Sequence, residues 1–174
     1  MSESFKIKSS IRDYEVHFIE SFGSEIKSIV KSGDYIIIDN IVSKLNGIRE
    51  YIEDYENVII INASEKTKSY EEIIPFLEQL ISNGVKRNNR LIAIGGGVIQ
   101  DVTAFIASIL YRGVDWIFFP TTLLSQADSC IGSKTSINFG KYKNQLGNFY
   151  PPLSIHIDTK ILSFLKDRDI RSGV

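Results

Sequence analysis

The sequence of 174 residues contains one cysteine, Cys130, so no disulfide can form within the chain. Without a Cys-x-x-Cys pair it also lacks a structural zinc knuckle. Its only histidines, His17 and His156, lie inside strand-like runs and form no His-x-x-x-His pair, so no three-ligand metal site is assigned and no metal ligand is named. Neither sign of charge dominates: 20 Lys and Arg against 21 Asp and Glu leave a net −1. That balance gives nucleic acid no basic field to follow and shows no acidic excess of the kind that favours disorder. No uncharged apolar run approaches the ~20 residues that span a bilayer. The N-terminus, MSESFKIKSS, lacks the apolar stretch of a secretory signal. Together these absences lead to the expectation of a soluble, cytoplasmic domain that partners neither nucleic acid nor membrane.

What is present is ordinary globular composition, 43% hydrophobic and 24% charged, in a length that suits one full-sized domain. Short apolar runs recur at 14–19, 35–39, 57–62, 90–95, 115–120 and 153–158. The first alternates like a half-buried strand, and the others are β-branched or aromatic runs that suit strands covered on both faces. Between them lie amphipathic stretches at about 22–31, 41–47, 69–83 and 98–111. The third is the clearest: Ser69 can cap it with Glu72 three residues on, Ile73, Phe76, Leu77 and Leu80 mark one face, and Asn83-Gly84 ends it. This alternation predicts a doubly wound, mostly parallel, Rossmann-like α/β domain.

The run RLIAIGGGVIQD (90–101) places a strand directly before three glycines and a helix. Gly95, Gly96 and Gly97 allow a tight turn and let a phosphate approach the amides, and the helix N-terminus adds positive potential and free N–H donors. A close strand–helix turn without a ligand is the alternative, and Gln100 stands where a dinucleotide fingerprint carries its helix-packing glycine. Asp39 ends its strand either as a turn or helix cap or as an acid for ribose hydroxyls. Thr121 and Thr122 follow a buried strand either as helix caps or as contacts to a phosphate or ribose. The loosened stretch 121–150 gathers Asp128, Lys134, Lys141, Lys143 and Asn144, a density of charge that suggests an anionic substrate.

The segments GGGVIQDVTAFIASILYRGVDWIFFPTTLLSQADSCIGSKTSIN and KNQLGNFYPP closely resemble 3-dehydroquinate synthases and related sugar-phosphate cyclases. Upstream, SEKTKS and IIIDN resemble two further family segments, so the likeness runs from about 14 to 174. The resemblance implies an N-terminal NAD-binding domain followed by a helical domain, with NAD and a divalent metal, zinc or cobalt, as cofactors. It implies the conversion of 3-deoxy-D-arabino-heptulosonate 7-phosphate to 3-dehydroquinate and phosphate, a shikimate-pathway lyase reaction, and a homodimer is a possible assembly. Carried over by position, Asp39, Glu65, Lys68, Gly96, Gly97, Asp101, Thr121 and Thr122 contact NAD. Asp128, Lys134, Lys143 and Asn144 face the substrate or the nicotinamide.

Against the family pattern, Gln100 and Ser64 replace glycines, Ser133 replaces the first residue of a Gly-Lys-Thr step, and Phe139 replaces a histidine. The last change leaves room for a cyclase of a different sugar phosphate. Gln100 is expected to turn its side chain away from the sheet or toward the ligand mouth. The resemblance assigns 1–158 to the NAD-binding domain and 159–174 to the start of a truncated helical metal-binding domain, with the family's metal-binding glutamate and histidines not reached by Val174. On that reading the fragment alone is inactive, and a non-catalytic NAD-binding domain is the alternative if the gene ends there. The related metal-dependent alcohol and polyol dehydrogenases share the two-domain plan but lack the motif train after Thr121.

Overall fold

A computed structural model describes residues 3–165. The stretch KDRDIRSGV, on which the expected entry to a helical domain rests, lies outside the described residues. In chain order the elements are β1 (Ser4–Ile7), β2 (Tyr14–Phe18), α1 (Phe22–Ile29), β3 (Tyr35–Asp39), α2 (Arg49–Ile52), β4 (Val58–Ile61), α3 (Tyr70–Ser82), β5 (Arg90–Gly95), α4 (Gly97–Ile109), β6 (Asp115–Pro120), β7 (Ile137–Phe139), β8 (Tyr142–Leu146) and β9 (Ser154–Ile157). Among the described residues, no helix is long and apolar enough to cross a membrane.

Seven strands form one sheet in the order β1-β2-β9-β6-β5-β3-β4. Only the β1–β2 pair is antiparallel. The continuous apolar runs work because both faces are covered. Tyr35, Ile37, Leu91, Ala93, Trp116 and Phe118 join a core with α3 and α4, whereas Ile36, Ile38, Ile92, Ile94, Ile117 and Phe119 pack with α1 and α2 on the other face. The expected doubly wound α/β domain is the observed architecture.

Helix α3 begins and ends as its sequence indicates. Ser69 Oγ accepts from the Glu72 amide, and Gly84 turns at φ 81° as the Val85 amide closes onto Leu80 O at 3.1 Å. The stretch expected as a helix at 41–47 is instead a 3₁₀ turn, Val42–Lys44, followed by the short α2. Val42 of that stretch, with Ile48 and Ile52 after it, still reaches the core. The strands β1, β7 and β8 were not expected: Ser4–Ile7 and Tyr142–Leu146 bury almost nothing, so they carry little hydrophobic pattern.

Candidate functional site

The connections leaving β3 and β5 run in opposite directions, toward β4 and toward β6, so a crevice opens at their carboxyl ends. Open α/β sheets bind ligands at such switch points. Here the crevice is a cleft of about 330 Å³ lined by residues including Asp39, Ala63, Gly96, Gly97 and Thr122. Gly96 is the N-cap of α4 and Gly97 its first residue, so the free amides of the helix face this mouth.

The three glycines do different work. A Cβ on Gly95 would lie 2.5 Å from Ile99 Cγ1, and one on Gly96 would lie 2.8 Å from Thr122 Cγ2. A Cβ on Gly97 would meet nothing closer than Ser129 Oγ at 3.9 Å. The first two glycines are therefore required by packing, while the third leaves a cradle open. Thr121 is fully buried, its amide donates to Gly95 O at 2.9 Å, and its hydroxyl oxygen has no hydrogen-bond partner. Thr121 itself lines neither cleft. Asp39 serves a local turn, accepting from the Ile41 amide at 2.9 Å. Burial raises its carboxyl above the ordinary carboxylate range, against the opposing pull of the Ile41 and Ala63 amides.

Gly97 also borders a larger cleft of about 500 Å³, lined by residues including Lys68, Asp101, Asp128, Lys134 and Asn144. Lys68 Nζ lies 2.6 Å from Asp101 Oδ2, and both side chains are largely buried. Burial raises the Asp101 carboxyl, Lys68 pulls it down, and the Glu65 charge pushes it up again. Lys134, Asp128 and Asn144 are exposed to the cleft mouth. The wall thus combines two ammonium and two carboxylate groups with the Asn144 amide on a solvent-open cavity.

Of the residues named from sequence, Asp39, Gly96 and Thr122 sit at the smaller cleft, Gly97 at both, and Lys68, Asp101, Asp128, Lys134 and Asn144 at the larger. Glu65 is exposed, lines neither cleft and accepts from Asn138 Nδ2 at 2.8 Å. Lys143 is exposed on β8 and lines neither cleft. The threonine pair divides: Thr122 Oγ1 contacts Ser125 Oγ at 2.8 Å, a local cap, while Thr121 is the unpaired one. The expected helix after it is a π-helical turn, Ser125–Ser129.

Sequence reasoning missed Asn138. Its amide donates to Lys68 O at 2.8 Å, and its Oδ1 accepts from the Asn144 amide at 2.8 Å, so it ties the Glu65–Lys68 loop to the β7–β8 hairpin. The only signal was its place at the end of Thr-x-x-Asn. Gln100 bonds to Ser129 through its side chain and lines the larger cleft, toward the expected ligand mouth. The histidines stack in the sheet, ring centroids 4.9 Å apart, with His156 buried. Among the described residues no group of three or more His, Cys, Asp or Glu side chains converges as a metal site.

The profile of the 3-dehydroquinate synthase N-terminal family matches residues 58–172. A 3-dehydroquinate synthase of Dictyoglomus turgidum is 48% identical over 119 residues, covering 68% of this chain and 34% of the relative. One from Streptococcus equi subsp. equi is 33% identical across 100% of this chain and 50% of its own length. The chain therefore spans at most about half the length of these relatives. A crystal structure of 2-deoxy-scyllo-inosose synthase with carbaglucose-6-phosphate, NAD+ and Co2+ superposes with a TM-score of 0.81 at 27% identity, over 98% of this chain and 50% of that one.

Proposed function

The chain belongs to the 3-dehydroquinate synthase N-terminal family, and from that membership we propose that it is the cofactor half of a cyclase converting 3-deoxy-D-arabino-heptulosonate 7-phosphate to 3-dehydroquinate and phosphate. In this reading residues 1–158 carry NAD and residues 159–174 lead toward a helical domain. The observation that carries the proposal is the position of Gly97, which borders both clefts, so a cofactor in one adjoins a substrate in the other.

The residues present fit a dinucleotide. Gly96 and Gly97 offer amides and Gly97 leaves room for a diphosphate, Thr122 lines the same cleft, and Asp39 offers a carboxylate for ribose hydroxyls. When bound, NAD supplies reversible hydride acceptance, which makes the proton beside the oxidised carbon acidic. On this reading Lys134 and Asn144 bind the anionic and hydroxyl groups of the sugar and Asp128 accepts from a hydroxyl, with the Lys68–Asp101 pair lining the same cleft. Lys143 is proposed to act at the same end. Among the described residues no three His, Cys, Asp or Glu side chains converge to hold a divalent metal.

A related cyclase acting on another sugar phosphate is the second reading. It is favoured by Phe139, which stands in place of the family's histidine and packs edge-on against Tyr70 at 6.2 Å. Calorimetric titration tests the main reading: NAD binds the wild-type chain and binds Asp39→Ala about tenfold more weakly, a loss typical of one charge-assisted contact. Equal affinities for both proteins would remove Asp39 from the cofactor site.

A further inference from the structure

We propose that Gln100 is a positioning residue whose carboxamide clamps the π-helical turn Ser125–Ser129 onto the first turns of α4 and so fixes where Asp128 stands in the wall of the larger cleft. The bonding is reciprocal across 29 residues of sequence: Gln100 Nε2 donates to Ser129 O at 2.6 Å, and Ser129 Oγ donates to Gln100 Oε1 at 3.1 Å. Gln100 is buried and Ser129 half-buried at the edge of the larger cleft, so both bonds are partly screened from water.

A turn of this kind needs such a tie. A π-helical turn inserts a residue relative to an α-helix and re-aims what it carries. The turn is anchored at its start by Ser125 Oγ, which donates to Thr122 O at 2.9 Å, and in its middle by Gln126 Nε2, which donates to Pro120 O and Asp158 O at 3.0 Å each. Asp128 follows these anchors and is itself exposed, and Ser129, immediately after it, is the residue held by Gln100. Beyond it, buried Cys130 bonds back into the turn through its amide and Sγ, and Gln100 adds the side-chain tie from α4 at the residue next to Asp128. It stands one residue before Asp101, so the same helical turn sets the Lys68–Asp101 pair and the Asp128 arm relative to one another. A glycine at this position could not make either bond.

The effect on ligand binding rests on the reading of the larger cleft as the sugar-phosphate site, whereas the clamp itself does not. Amide hydrogen exchange on the full chain decides the clamp. In Gln100→Ala the Cys130 amide, which bonds Ser125 O at 3.2 Å, exchanges on the order of tenfold faster, while amides of β5 keep their wild-type rates. Ser129→Ala, which removes one bond from the other side, gives a smaller change in the same direction and serves if the first variant folds poorly. Titration then reads the position of Asp128: the heptulosonate phosphate binds Gln100→Ala more weakly, NAD binds it as it binds wild type, and Gln100→Glu, which keeps only the acceptor, falls between. Unchanged exchange at Cys130 overturns the clamp. Faster exchange with unchanged sugar-phosphate affinity overturns its role in placing Asp128. A wild-type chain that binds no sugar phosphate brings down the proposed function, and exchange alone then decides the clamp.

Discussion

On one side of Gly97 the cleft is walled by Asp39, Gly96 and Thr122 together with apolar side chains such as Ile41, Val42 and Val98; on the other it is walled by Lys68, Asp101, Asp128, Lys134 and Asn144. The first is set by where two parallel strands end and a helix begins, so the sheet core holds it in place. The second is assembled from α4, the 121–150 segment and the Glu65–Lys68 loop, and polar side chains hold it together. The difference teaches that the smaller cleft is sensitive to volume and the larger to lost partners.

The largest effect should come from the larger cleft. Asp101→Ala leaves the buried Lys68 ammonium without its carboxylate, and breaking a buried pair from one side costs about 3–5 kcal/mol. Urea unfolding measures this, and a Lys68→Met, Asp101→Leu double variant should recover most of the loss. A single variant as stable as wild type would mean that the ion pair does not hold this wall.

The glycines sharpen the contrast from the other side. Gly95→Ala drives a Cβ to 2.5 Å from Ile99 Cγ1 and should cost about 1–3 kcal/mol in thermal unfolding. Gly97→Ala should leave stability nearly unchanged, since its nearest neighbour lies 3.9 Å away, yet weaken NAD binding by filling the cradle. If both variants merely destabilise, the open position at Gly97 has no ligand role.

Acid separates both clefts from the sheet beneath them. Burial, with His17 stacked alongside, pushes His156 down to about 3, so the folded chain keeps it neutral where the unfolded chain protonates it. The Glu25 carboxylate, 2.8 Å from His156 Nδ1, favours the charged ring and opposes that shift, while Ser154 Oγ lies 2.8 Å from Nε2 and Glu15 lies 3.3 Å from His17 Nε2. The unfolded state binds the extra proton between its ordinary value of 6.5 and 3, so stability falls as pH falls through that window, by up to ~1.4 kcal/mol per pH unit. His156→Phe should flatten that slope, and an unaltered slope would assign the acid sensitivity to other groups.

The same contrast explains what the sequence could reveal. Strands at 35–39, 90–95 and 115–120 were legible to the residue because both their faces are buried and their apolar runs are unbroken. The β7–β8 hairpin was not, because Tyr142–Leu146 is exposed and polar and is held by hydrogen bonds such as that from the Asn144 amide to Asn138. Asp39 and the glycines could be placed at one mouth from strand ends alone. The meeting of Lys68 with Asp101, 33 positions later, could be inferred only through family resemblance, since nothing local in either segment encodes it. Thr121 and Thr122 looked alike in sequence and differ only because the first lies buried beside Gly95.

Amide chemical-shift mapping of the labelled chain tests most directly the claim that two adjoining sites meet at one glycine. NAD should shift Asp39, Gly96 and Gly97, the heptulosonate phosphate should shift Lys134, Asp128 and Asn144, and Gly97 should respond to both. NAD shifts confined to the opposite end of the sheet, around Gly33, Asp54 and Asn57, would contradict the account.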